Sequence, residues 1–316
     1  MTLYNIDIAI YDSSDDELTR QLVEERNKQG YDNIFYYKYE SDELVENKCM
    51  DIYCSQADYE YIWLCGDGLV LNLKKDVELI NNQITKKKDI IVFGHDKRYV
   101  KEYKEYSNSV EFCKECFAPA TWYGAVILKN GLINRSMFEK CIKKYKEHAI
   151  QGAYFELFKN GHVNAVYLVH DFFDANPCKK ISTAFDEGRT IYAFSKLFNK
   201  TIWNLPECYD SIKKDLEKSI AYTTGLYKLS HLWFMRACNN LNIKIVFKYM
   251  KYIIRSSDTN ILYFILVAIC PIKIANMIAV IENRKKHPQI NTLIKILKPF
   301  GYTLSITKIN KGGKNI

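Results

Sequence analysis

Two carboxylates occupy positions where open α/β sheets bind ligands. Asp12 follows an apolar, strand-like run, Ile6–Tyr11. Asp67 follows a second such run, Tyr59–Cys65, inside the tripeptide Gly66-Asp67-Gly68. Ligands in such sheets dock outside the carboxyl ends of the strands. A carboxylate at the first position can accept hydrogen bonds from the N–H of a base or from ribose hydroxyls. At the second it can hold a hard divalent cation against a diphosphate, while the glycines let the backbone turn. Each residue alone also reads as a turn or cap aspartate. The pair, 55 positions apart on two strand ends of one α/β pattern, says more than either.

The elements that must position these residues follow from hydrophobic spacing. Strands are predicted over 6–11, 33–39, 59–65, 89–93, 122–128 and 163–169, and helices over 42–55, 74–83, 136–148 and 151–160. Ser14, with Glu17 three residues on, reads as a capping box opening a helix at Leu18. The charged, Tyr-rich stretch 97–115 reads as two helices. The early strand–helix alternation predicts a parallel sheet covered on both faces. Further helices are expected over 189–198, 206–221 and 229–255, and an apolar helix opened by Thr259 or Asn260.

Charge divides the chain. The whole carries a net charge of +8, yet residues 218–316 hold 16 Lys+Arg against 2 Asp+Glu, leaving the first 217 residues net acidic. That pattern predicts a binding or catalytic body, residues 1–222, and a basic amphipathic helical region, residues 223–316. The longest uninterrupted apolar run, Ile261–Cys270, is half the length a spanning helix needs. With Pro271 behind it and Arg284-Lys285-Lys286 further on, it reads as an element lying in an anionic membrane surface, or else as a helical subdomain packed on the body. Long aliphatic runs between the charges argue against nucleic acid as the partner. Ten scattered cysteines without framework spacing or a secretory signal read as reduced thiols of a cytoplasmic protein. The one close pair, Cys113-x-x-Cys116, lacks two further ligands for zinc.

The motifs resemble a known family. Tyr11-Asp12-Ser13-Ser14-Asp15-Asp16-Glu17 resembles the DxSxD turn of family-2-type glycosyltransferases of the GT-A fold. Tyr61–Gly68 resembles their DxD strand as found in bacterial capsular and exopolysaccharide members, Trp122–Leu128 their acceptor-side strand, and Leu205-Pro206-x-x-Tyr209 a motif near the end of the catalytic region. The likeness covers about residues 5–215 and implies an α/β GT-A fold, Rossmann-like, with a mixed sheet.

The resemblance also implies roles. Asp12 and Asp15 would lie on the nucleotide of a UDP-sugar, with Asp12 on the uracil or ribose, and Lys48 would be a basic nucleotide contact. Asp67 would bind Mn²⁺ or Mg²⁺, although Cys65 stands at the first acidic position of DxD and a thiol is a poor partner for such ions. The family's paired-carboxylate base motif is not visible, which leaves Glu156 and Glu147 as candidates, and His170-Asp171 as a late ligand or base. Trp122 and Tyr123 could stack on a sugar. The family's first strand, placed centrally in the sheet, has no counterpart before Asp12, so a longer start or a missing inner strand is expected. The function implied is inverting transfer of a sugar from UDP to a polyprenyl-diphosphate-linked acceptor at the inner face of the cell membrane. The alternative is a transferase-like protein without activity that binds membrane or a partner enzyme.

Overall fold

The structure, a computed structural model, describes residues 6–40, 45–55, 58–66, 69–71, 77–94, 100–169, 173–175 and 188–282. The chain forms two compact units: Met1–Ile181 with Lys200–Ser219, and Ser182–Asn199 with Ile220–Ile316. Residues 182–199, which a boundary at 222 gives to the body, group with the C-terminal helices.

The first unit is a mixed α/β structure. Its order begins β1 (Ile8–Asp12), α1 (Leu18–Lys28), β2 (Ile34–Lys38), α2 (Val45–Ser55), β3 (Tyr61–Trp63), β4 (Leu69–Leu71) and α3 (Val77–Thr85). It continues β5 (Ile90–Gly94), β6 (Tyr103–Asn108), α4 (Ser109–Cys116), β7 (Val126–Lys129), α5 (Arg135–Tyr145), α6 (Ala149–Leu157), β8 (His162–Val169) and β9 (Phe173–Ala175). Five strands form a sheet in the order β3-β7-β5-β8-β6. Only β5 and β8 run parallel in it; the other three pairs are antiparallel, so the sheet is mixed and not the parallel one that the alternation predicts.

Strands β1 and β2 pair in parallel as a sheet of their own, and β4 pairs with β9. No ladder among the described residues joins β1 to β3, the two strands whose ends carry the candidate carboxylates.

One face of the five-stranded sheet packs Ile91, Phe93, Ile127, Val166 and Leu168 against Ile80 of α3. Alternation sends the next residues to the opposite face, where Phe112, Phe138 and Phe155 are fully buried. Phe155 lies 5.2 Å from Phe117 and 6.2 Å from Tyr209, centroid to centroid. Each such ring contributes roughly 1.5–3 kcal/mol by leaving water.

The stretch expected as two helices holds a strand instead. In β6 exposure alternates along Tyr103–Tyr106, and the outward Glu105 pairs with Lys86 and with the buried Lys88. The inward-leaning Lys104 and Tyr106 both reach Glu115. These ion pairs satisfy the charges that made the segment read as a solvated helix. Asn108 then starts α4 by accepting from the backbone N–H groups of Val110 and Glu111.

Short helices follow: α7 (Arg189–Ile191), a π-turn at Tyr192–Leu197, α8 (Phe198–Asn204), α9 (Lys213–Leu216) and α10 (Ser219–Thr224). The second unit is completed by α11 (Leu229–Ala237), α12 (Ile243–Ser256), α13 (Ile261–Ile269) and α14 (Ile272–Glu282). Its core gathers Leu232, Met235, Val246, Ile253, Phe264 and Val267. The single helix expected over 229–255 is split because Asn239 adopts φ +60°, which ends α11. Asn242 and Asn260 cap α12 and α13, each accepting a backbone N–H three or two residues on.

Candidate nucleotide and acceptor site

Parallel pairing of β1 with β2 sets Asp12 opposite Lys38 at the carboxyl ends of both strands. Ser14 does not cap α1. It turns back, and its backbone N–H and hydroxyl both donate to Asp12 Oδ1, at 2.9 and 2.6 Å. Asp16 instead accepts the N–H of Leu18. Tyr36 donates to Asp12 Oδ2 at 3.0 Å. Slight burial pushes the Asp12 carboxyl up, but the hydrogen bonds from Ser14 and Tyr36 and the charge of Lys38 outweigh it and hold it below the usual carboxylate range. An ionised carboxylate has about four lone-pair sites. Three are engaged here, two on Oδ1 and one on Oδ2, so Oδ2 has capacity for about one further N–H or O–H. Asp15 is exposed beside it.

Helix α2 connects this cluster to the rest of the unit. Lys48 donates to Ser13 Oγ at 2.5 Å and lies 5.9 Å from the ring of Tyr39. One residue on, the thiol of Cys49 is hydrogen-bonded with Tyr123. A turn later the Tyr53 hydroxyl meets that of Tyr154 at 2.9 Å, inside the protein.

Tyr123 and Tyr154 line a small cavity with Leu64, Trp122, Gly124 and Gln151. The cavity opens where β3 ends. Trp63 Nε1 donates to the carbonyl of Gly124, and Gly124 N–H donates to that of Leu64, both at 2.7 Å. Gly124 sits at φ +89°, a conformation that favours glycine. Trp122 and Tyr123 lie in the turn before β7 and not within the strand, so each keeps about two-fifths of its surface exposed.

Neither catalytic candidate lines this cavity. Glu156 accepts from Lys144 and Tyr145 at 2.6 and 2.7 Å and lies 3.7 Å from Lys159. Partial burial pushes its carboxyl up, and these partners bring it below the ordinary range. A carboxylate so engaged braces α5 against α6 and is poorly suited to take a proton. Glu147 is exposed in a single 3-10 turn, Lys146–His148, ahead of α6. Asp67, His170 and Asp171 lie outside the described residues.

No family model and no curated protein matches the sequence. Among solved structures the chain is similar to S. aureus TarS 1-349 in complex with UDP. The identity is 10% and the TM-score 0.41, over 90% of this chain and 83% of that one. A likeness of that size gives no residue a role.

Gln151 is the site residue that sequence reasoning passes over. Its Nε2 donates to the carbonyl of Thr121 at 3.2 Å, while its buried Oε1 has no hydrogen-bond partner. A buried acceptor left unpaired costs about 1–3 kcal/mol, so a donor entering the cavity would be welcome there. A glutamine amid apolar helix positions was the available signal.

The expected divalent cation rests on Asp67, which lies outside the described residues. They contain no group of three or more His, Cys, Asp or Glu side chains placed to hold a metal. Cys65 is exposed, and a thiol there is a poor partner for such an ion. Cys113 and Cys116 are fully buried in the core, and burial drives both thiols well above their ordinary value.

Proposed function

We propose that this protein is a glycosyltransferase. It takes a sugar from a UDP-sugar and passes it to a lipid-linked, polyprenyl-diphosphate acceptor at the cytoplasmic face of the membrane. The observation that carries the reading is the Asp12 cluster. An ionised carboxylate with about one free lone pair stands beside two ammonium groups at the carboxyl ends of parallel strands. Asp12 accepts a hydrogen bond from the uracil or ribose. Lys38, which also reaches the Ser14 carbonyl, and Lys48 offset the diphosphate charge.

Helix α2 spaces this cluster from the small cavity lined by Trp122 and Tyr123, whose exposed surfaces are the proposed contact for a sugar. Transfer with inversion requires a base on the acceptor hydroxyl. Glu147 is kept as the proposed base, with His170-Asp171 as the alternative.

Calorimetry with UDP and several UDP-sugars tests the donor site. Wild type is expected to bind, and Asp12→Asn to bind about tenfold more weakly, equivalent to ~1.4 kcal/mol. Wild type that takes no UDP or UDP-sugar would sink the reading. UDP release, with and without Mn²⁺ and in Asp67→Ala, then separates an active enzyme from one that binds without turnover. The second outcome is the alternative reading, favoured by Cys65 standing where the resembled family carries the first DxD carboxylate.

A further inference from the structure

Helix α13 buries one face and leaves the other bare. Phe264, Val267 and Ala268 pack into the second unit's core, while Leu262, Leu266 and Ile269, at i, i+4 and i+7, are 61%, 57% and 60% exposed. Tyr263 flanks this stripe, half exposed. An exposed apolar stripe of this length marks a surface made for something other than water.

Helix α12, packed against α13, carries a second exposed face. Lys244, Lys248, Lys251 and Arg255 are exposed along it, with Phe247 and Ile254 exposed between them. From Leu229 to Ile269 the sequence holds a single acidic residue, Asp258, against five Lys+Arg.

We propose that these two faces are the docking surface for an anionic lipid bilayer, with α13 lying in the interface and the α12 cations on the headgroups. Charge complementarity selects the occupant. A second copy of the chain would bring the same cations against themselves. A nucleic acid would leave Leu262, Leu266 and Ile269 without apolar contact. A bilayer surface takes both the aliphatic stripe and the cations.

Length selects the depth. Nine residues rise about 13 Å, under half of a hydrocarbon core. The chain bends by 116° into α14 at the break around Pro271, and no single helix among the described residues is long and apolar enough to cross. This surface belongs to the second unit alone and does not depend on the transfer reaction.

Flotation of the full chain with phosphatidylcholine vesicles, with and without one third phosphatidylglycerol, tests it. Wild type is expected to float only with the anionic vesicles, and less so as salt is raised. Leu266→Asp with Ile269→Asp should remain at the bottom. Lys248→Glu with Lys251→Glu should weaken partition by at least about 25-fold, about fivefold per cation. All four positions are exposed, so circular dichroism melts should match wild type and exclude unfolding. These results would overturn the proposal: wild type that ignores anionic vesicles, variants that float as wild type does, or a chain that dimerises through this face (sedimentation reverting to monomer in the Leu266 variant) without floating. Retention on duplex DNA with the same lysine dependence, and no flotation, would also overturn it.

Discussion

The hydroxyls of Tyr53 and Tyr154 meet at 2.9 Å in the interior, across 101 positions of chain. They fasten α2, which carries Lys48, to α6, which lines the cavity. Burial raises both phenols far above their ordinary range, so both are neutral and one donates to the other. Removing one partner strands a buried hydroxyl at about 1–3 kcal/mol, whereas removing both leaves two matched rings. Tyr53→Phe should therefore lower the urea midpoint, and Tyr53→Phe with Tyr154→Phe should restore most of it. A double variant less stable than either single one would show that the pair is not the fastening.

Lys48 has two possible roles, anchoring the Ser13 turn or meeting the nucleotide, and substitution separates them. Ser13→Ala removes the 2.5 Å contact but keeps the cation. Lys48→Met keeps the stem and removes the charge. A nucleotide contact predicts about a tenfold loss of UDP affinity in Lys48→Met and little change in Ser13→Ala. Equal losses in calorimetry would assign Lys48 to the turn.

What the sequence made legible follows from where the physics is local. The apolar runs of β5 and β8 read as buried strands because all their neighbours are apolar, as Ile90–Phe93 and Val166–Leu168 confirm by near-zero exposure. Asp12 was legible because a strand end announces itself. The segment 103–108 was not, since its charges are satisfied by Lys88 and Glu115, far away or on the next element. Ser14 misled for a similar reason: Asp12, two residues back, offers a charged acceptor that competes with the helix start. Gln151 is visible only through the cavity it lines, and strand order decides that. The separation of β1–β2 from the five-stranded sheet is likewise a matter of pairing, which no single segment encodes.

Gly152 is where local propensity and packing disagree. Alanine in a helix interior is favoured over glycine by about 0.8–1 kcal/mol. A Cβ at 152, however, would lie 2.1–2.5 Å from the ring of Tyr145. That ring cannot swing away readily, because its hydroxyl donates to Glu156 at 2.7 Å and lies 3.0 Å from the carbonyl of Asn204. Overpacking of this kind costs about 1–3 kcal/mol, so sterics should win and Gly152→Ala should melt lower than wild type by calorimetry. A higher melting temperature would mean that α5 and α6 separate easily.

His148 should give the fold an acid-sensitive step. Its ring is sheltered against Thr201, with Nδ1 3.1 Å from Oγ1, and burial lowers it from 6.5 to about 4. The folded chain therefore resists a proton that the unfolded chain accepts. Above about pH 6.5 both states hold a neutral ring and the group has no effect on stability. As pH falls from 6.5 toward 4 the unfolded state binds the proton first, and stability declines by up to about 3 kcal/mol. Below 4 both states are protonated and the decline from this group stops; Asp12, whose folded carboxyl lies below 3.8, contributes only in that more acid range. Urea midpoints at pH 7.5 and 5 should differ clearly in wild type and less in His148→Gln, which keeps the smaller share from His231, also lowered by burial. The same difference in both proteins would place the acid sensitivity elsewhere.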